Sequence, residues 1–266
     1  MTPVTVTQGD GPIVLGIPHA GTYVPPDIMA DLNGNGQALT DTDWHIDALY
    51  ADLLPGLNVV RANFHRYVID ANRDPTGESL YPGQNTTTLV PLTDFDGEPI
   101  WTSQPSDADI EIRRATYHAP YHAALQAELT RVRAKHGIAI LYDCHSIRSH
   151  IPFLFEGTLP DFNICTDDGK TCALRISEVV RDICETAPGY SSVTNGRFKG
   201  GWSTRHYGQP EQGVHAIQME LAQSTYLQNE AAPWIYDATK AAGLRHHLSH
   251  ILASLSALAP TLGDPS

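Results

Sequence analysis

Residues 137–150 read GIAILYDCHSIRSH. The run starts after a glycine, stays apolar through Tyr142, and then turns polar with Asp143, Cys144, His145, Ser146, Arg148 and His150. A short apolar run bounded by turn residues fits a strand buried on both faces, the kind found in sheets covered by helices on either side. A strand serving only a core has no reason to finish on Asp, His and Arg. The stretch therefore reads as a strand that carries reactive groups to the edge of a sheet.

Three more runs share this character: PIVLGIPH at 12–19, NVVRANFHRYVI at 58–69 and VHAIQMEL at 214–221. Helical spacing fills the intervals. The longest helix is predicted from an N-cap at Ser106, with Asp109 three residues on, through Ile110, Tyr117, Tyr121, Leu125, Leu129 and Val132 to Gly137, with a kink expected at Pro120. Others are predicted over 41–53, 170–186 and 229–258. Strands alternating with helices imply an α/β fold with helices on both faces of the sheet. Pro and Gly are scattered and no linker interrupts the chain, so residues 1–266 are expected to form one catalytic domain.

Composition narrows the function. With 266 residues, 41% of them hydrophobic, the chain can bury a full core. A formal net charge of −13 excludes the basic footprint that nucleic acid or an anionic membrane requires. MTPVTVTQGDG lacks the form of a signal peptide, and no apolar run approaches the ~20 residues that span a bilayer, so a soluble cytoplasmic protein is expected. Cys144, Cys165, Cys172 and Cys184 have neither zinc-knuckle nor disulfide-framework spacing and read as buried thiols.

In α/β sheets reactive groups gather beyond the carboxyl ends of the strands. His19 follows IVLGIP, His145 follows IAILYDC, and Glu220 ends VHAIQM, so three runs could aim polar groups at one cleft. A catalytic zinc site takes three ligands from His, Asp and Glu and leaves a position for water. His19 and His145 supply nitrogens, the TDTDWHID cluster offers Asp41, Asp43 and Asp47 for the oxygen, and Glu220 is the candidate to take a proton from the water. His118 and His122 in YHAPYH have i, i+4 spacing, but Pro120 between them favours structural or substrate contacts over ligation. His246, His247 and His250 are expected to face solvent. Cys144 next to His145 reads as a small buried side chain, because alternation points neighbours to opposite faces.

The loop NGRFKGGWSTRH at 195–206 carries Arg197, Lys199, Arg205 and His206 with no acid. A basic, glycine-bearing loop in an acidic protein suits a carboxylate ligand, which Arg grips bidentately. Arg73 and Arg148 could add to the same grip.

Taken in order, PHAG (18–21), DTDWH (41–45), RYVIDANR (66–73), DCHSIRSHIP (143–152), NGRFKGG (195–201), TRHYG (204–208) and QMELAQSTY (218–226) resemble the N-formylglutamate amidohydrolase family over nearly the whole chain. The resemblance implies hydrolysis of N-formyl-L-glutamate to L-glutamate and formate, a step in histidine degradation. It also implies a mixed sheet between helices, similar to the zinc carboxypeptidases and aspartoacylases. Those relatives present their first His and acid as H-x-x-E, whereas the residue three after His19 is Thr22. The carboxylate ligand is therefore carried to Asp43, with Asp41 as the fallback.

The implied site is one divalent ion, zinc, on His19, Asp43 and His145. Glu220 is the general base, and Asn72 and Arg73 resemble the pair that grips carboxylate or oxyanion. Arg148, Lys199 and Arg205 hold the glutamate carboxylates, and Asp143 orients a ligand. Two other readings stand beside it: an amidohydrolase for another N-acyl amino acid or short peptide, and a carboxylate-binding protein without turnover.

Overall fold

The computed structural model describes residues 1–80 and 83–262. The chain begins with strands β1 (Val4–Thr7) and β2 (Ile13–Ile17), followed by short helices α1 (Pro26–Asp31), α2 (Gly34–Gln37) and α3 (Ile46–Tyr50) and strand β3 (Asn58–Ala62). Helix α4 (Asp107–Arg113) runs through a π-helical turn (Arg114–His118) into α5 (Ala119–His136), which feeds β4 (Ala139–Ile147). Strand β5 (Phe162–Cys165), α6 (Leu174–Glu185), β6 (Ser192–Thr194), α7 (Trp202–Tyr207), β7 (Val214–Ala222) and α8 (Ala238–Leu258) complete the order.

The seven strands form one sheet in the order β1-β3-β2-β4-β7-β5-β6. The four central strands, β3, β2, β4 and β7, run parallel, while β1 and β5 join them antiparallel and β6 runs parallel to β5. All nine residues of β4 are buried, as its apolar sequence requires of a strand with neighbours on both sides and helices on both faces. Tyr142 and Cys144 face a cluster built from α3, α6 and α8, whereas Leu141 faces one that includes α5 and the segments around residues 64–71 and 89–101. That alternation sends Asp143 and His145 to the second face.

Several elements differ from expectation. The run 58–69 is a strand only through Ala62; beyond an isolated bridge from Tyr23 to Phe64, the chain leaves the sheet and turns over the carboxyl ends of β2 and β3. Its polar residues Arg66 and Asp70 are then buried in the site, a placement that a strand register would not give. The expected helix at 41–53 shortens to Ile46–Tyr50, because the Asp43 amide donates to the His19 carbonyl (3.1 Å) and docks the preceding loop on PHAG.

At 229–258 the helix waits for Asp237, whose side chain caps the amides of Thr239 and Lys240. Ser106 and Asp109 form a reciprocal capping box as expected. Pro120 does not break the long helix. The amide of Ala119 reaches back to the Arg114 carbonyl, and this wider π turn accommodates a residue that has no N–H to give to the ladder. Strands β1, β5 and β6, each of three or four residues, were too short to signal themselves by periodicity. His246 and His250 are exposed, but His247 is half-buried with its ring 5.4 Å from that of Tyr190. Among the described residues no helix is long and apolar enough to cross a membrane.

Asn58, wholly buried at the start of β3, fastens the N-terminal loop to the sheet. Its amide donates to the carbonyls of Gly11 (2.9 Å) and Ile13 (2.8 Å), and its oxygen accepts from the Gly9 amide (2.8 Å) and from Arg131 (2.6 Å). Replacing it with Leu takes a partner from the Gly9 amide and from the Gly11 and Ile13 carbonyls, while Arg131 keeps Glu128 and the Gly9 carbonyl. Asn58→Leu is expected to lose about 3 kcal/mol of stability, read as a lower Tm in thermal melting.

Candidate metal centre and active site

The site is assembled at the carboxyl ends of β2, β4 and β7. His19 lies two residues beyond β2, while His145 and Glu220 lie inside β4 and β7, two residues short of their ends, as direct partners in the parallel register. Asp43 comes from the loop docked on His19, and its Oδ2 accepts from the Ser146 amide at 3.1 Å, which ties that loop to the end of β4. His19, Asp43 and His145 are almost wholly buried.

Three ligand-type atoms converge. His19 Nδ1 and His145 Nδ1 are 3.2 Å apart, and Asp43 Oδ2 lies 3.8 Å from the first and 3.4 Å from the second. Among the described residues this is the one group of three or more His, Cys, Asp or Glu side chains that could hold a metal ion. Ligand atoms about 2.0–2.1 Å from a tetrahedral ion stand about 3.4 Å apart, so the triangle fits such an ion.

The far nitrogens of both rings meet carboxylates. His19 Nε2 is 2.7 Å from Asp70 Oδ1, and His145 Nε2 is 3.2 Å from Asp143 Oδ1, a buried oxygen with no hydrogen-bond partner. The Asp70 carboxylate behind His19 fixes that ring and favours presentation of its Nδ1 to a cation. His145 Nε2 lies between Asp143 Oδ1 and Asn72 Nδ2.

Charge in the buried site is closely matched. Burial pushes the Asp43 carboxyl up, but Arg66 and the two histidines outweigh it and hold it below its ordinary pKa. Burial acts in the same direction on Asp70, where Arg73 and His19 hold the pKa well below the usual range. Burial alone would lower His145, yet Asp143 and Asp43 keep its imidazole well above its ordinary value. In His19 burial and the neighbouring Arg66 prevail, and its pKa is lowered. Burial lifts Glu220 to about 7, with His145 opposing and Asp43 adding to the rise. Such a carboxyl can both accept and release a proton near neutral pH. Gln218, two residues back on the same face, donates to Glu220 Oε2 (3.1 Å) and accepts from the Gly201 amide (2.7 Å).

A cavity of about 80 Å³ opens onto this corner, lined by His19, His145 and Glu220, by Arg66, Arg73 and Arg197, and by Asn72 and Phe95. Of the expected site residues, His19, His145, Glu220, Asn72 and Arg73 meet here, with Asp43 immediately behind. The other three stand elsewhere. Arg148 pairs with Asp96 (2.7 Å), Lys199 with Asp168 (2.9 Å) and Arg205 with Asp167 (3.5 Å); Lys199 and Arg205 line an adjoining groove, which shares Arg197 with the cavity. Each is drawn to a nearby acid that loop sequence alone does not place.

Arg66, Asp70 and Gln218 also belong to the site, with no sequence signal that marked them. Arg66, held against Asp43, keeps a buried Nε without a hydrogen-bond partner. Arg66 and Asp70 lay in a run read as strand, and a Gln gives no chemical signal of its own. Asp41, the fallback ligand, lies outside the triangle; Tyr67 and the Phe95 amide donate to its Oδ2.

Fold and cluster together define an α/β protein that gathers, at the carboxyl ends of its parallel strands, a buried His/Asp/His group able to hold a metal ion, beside a glutamate with a raised pKa. Residues 11–227 match the N-formylglutamate amidohydrolase family, and the chain belongs to it, as an amidohydrolase acting on a linear amide. It is 46% identical to the N-formylglutamate deformylase of Pseudomonas aeruginosa and 44% identical to that of Pseudomonas putida, each alignment covering 94% of both chains. The crystal structure of N-formylglutamate amidohydrolase from Ralstonia eutropha JMP134 superposes with a TM-score of 0.82 at 24% identity, over 98% of this chain and 99% of that one. That likeness establishes the shared fold.

The triangle predicts metal binding directly. Calorimetric titration of the metal-free protein with Zn²⁺ is expected to give one tight site per chain, lost in His145→Ala and weakened at least tenfold in Asp43→Asn. Unchanged binding by both variants would remove the triangle as the site.

Proposed function

We propose that this protein hydrolyses N-formyl-L-glutamate to L-glutamate and formate as a step of histidine degradation, with zinc on His19, Asp43 and His145. The observation that carries the reading is the pairing of this triangle with Glu220, in register across β4 and β7, in a chain 46% identical to a curated N-formylglutamate deformylase. All four cysteines are free and buried, which suits the reducing cytoplasm.

A divalent ion held by His19, Asp43 and His145 would supply a Lewis acid for the formyl oxygen and would lower the pKa of water at the site. The protein's own residues do the rest. Glu220 takes a proton from the water that adds to the formyl carbon and hands it to the departing amine. Arg73 faces the developing oxyanion, a type of contact whose loss costs on the order of a hundredfold in rate. Gln218 holds the Glu220 carboxylate toward the cavity.

The clamp for the glutamate carboxylates is assigned to Arg197 and Asn72, which line the cavity. Arg148, Lys199 and Arg205, the residues expected from sequence, are engaged by acids outside it. Lys199 and Arg205 contribute positive charge at the adjoining groove.

The first test is formate release from N-formyl-L-glutamate, before and after chelation and with zinc restored. Release is expected, lost with chelator and regained with metal; no release with any divalent metal would overturn the reading. N-acetylglutamate and N-formylaspartate in parallel fix the acyl and amino-acid preference. Glu220→Gln is expected to keep metal and fold while turnover falls at least a hundredfold. Arg197→Ala is expected to raise KM about tenfold or more, with a small fall in Tm because its guanidinium also donates to the Leu154 and Asn85 carbonyls.

A further inference from the structure

The histidine pair of YHAPYH has no part in the triangle, yet both rings are turned toward the segment that carries Asn72 and Arg73. His122 Nε2 lies 2.8 Å from the Ala71 carbonyl, and His118 Nε2 lies 3.1 Å from the Arg73 carbonyl. A carbonyl only accepts, so both rings carry their proton on Nε2. Burial lowers the pKa of both, His122 to about 3, so each is a neutral donor with a fixed tautomer. The two hydrogen bonds bracket Asn72.

Asn72 is held at its backbone N–H, its carbonyl and its side-chain oxygen as well. Its amide N–H donates to Asp70 Oδ1 (2.8 Å), and its carbonyl accepts from the Trp202 amide (3.4 Å) and from Arg73 Nη1 (3.1 Å). Its side-chain oxygen accepts from the Ser203 amide (2.8 Å), which fixes the side chain with Nδ2 lying 3.1 Å from His145 Nε2. Gly201 approaches so closely that a Cβ there would lie 2.2 Å from Asn72 Nδ2.

The histidines are braced in turn by α7. The Trp202 ring lies edge-on to His122 at 4.6 Å, and the Tyr207 hydroxyl lies 3.0 Å from His122 Nδ1. The π turn at Arg114–His118, with α5 behind it, presents both rings on one face toward residues 71–73. A π turn interrupting a helix recurs at functional sites.

We infer that His118 and His122 are positioning residues for the reaction: they lock the backbone of residues 71–73 so that Asn72 and Arg73 project into the cavity. The inference rests on the deformylase reading, which assigns those two residues to substrate. Losing the donor of His122 lets the Ala71 carbonyl seek another partner and turns the peptide that sets the Asn72 side chain. A displacement of about 1 Å at a reacting contact can cost a hundredfold in rate.

The test is a double-mutant cycle on kcat/KM for N-formyl-L-glutamate, with wild type, His122→Leu, Asn72→Ala and the double variant. Wild-type formate release establishes the reading on which the inference rests, so the cycle tests the positioning role by itself. His122→Leu is expected to lower kcat/KM at least tenfold in the wild-type background and less than threefold when Asn72 is already Ala. Losses that multiply in the double variant, or a His122→Leu enzyme within threefold of wild type, overturn the proposal.

Leu129→Ala, which removes core packing from the same helix away from residues 71–73, is the control for general destabilisation: it is expected to lower Tm with kcat/KM retained. If His122→Leu does not fold, His122→Gln and His118→Gln decide the matter. Gln carries an amide donor at similar reach, and both variants are expected to keep kcat/KM within about threefold. A larger loss at unchanged Tm overturns the role of Nε2 as the positioning donor.

Discussion

The pairing of β4 with β7 is the constraint on which the site depends. Nine consecutive residues of each strand run side by side in parallel, and the register sets His145 opposite Glu220. A slip of one residue would send either side chain to the face covered by α3, α6 and α8. The same register places Asp143 opposite Gln218, so the partner of each functional group lies two residues earlier on the same face of the same strand. One piece of backbone geometry thus orients the His145 imidazole, the Asp143 carboxylate, the Glu220 carboxyl and the Gln218 amide that donates to it.

Around that pair the protein gathers charge that would be unstable alone. Asp43, Asp70 and Asp143 are buried, and Arg66 and Arg73 are the cations set beside them. Isolated buried charges are strongly disfavoured, whereas paired and hydrogen-bonded ones persist. The Nδ1 atoms of two histidines and a carboxylate oxygen then converge closely enough to hold a metal ion. The cost of holding like groups so close is met by packing elsewhere, in two apolar clusters that cover both faces of the sheet.

Support for the site comes from loops and helices that are remote in sequence. Segment 63–73 leaves the sheet after β3 and passes over the site, the amide of Asp43 fastens its loop to His19, and α7 presses Ser203 and Trp202 against Asn72. The histidines of α5 close the arrangement from behind. Residues 71–73 are bonded from the π turn and α5 and from α7, all remote in sequence, which explains why no local motif announces the arrangement.

The sequence by itself determined the buried central strands, because their apolar runs have the length and composition of strands covered on both faces, and it marked His19, His145 and Glu220 by placing polar groups near the ends of those runs. Resemblance to a family then selected Asp43 among the acids of residues 41–47 and added Asn72 beside Arg73. Tertiary structure alone decided that the run after Ala62 turns over the site to bring Arg66 and Asp70 into it, that Arg148, Lys199 and Arg205 are engaged by Asp96, Asp168 and Asp167, and that His118 and His122 reach the carbonyls of Arg73 and Ala71. The physical reason is range: periodicity reports what a residue's immediate neighbours require, whereas a hydrogen bond or ion pair between segments far apart in sequence exists only once the strand register has brought them together.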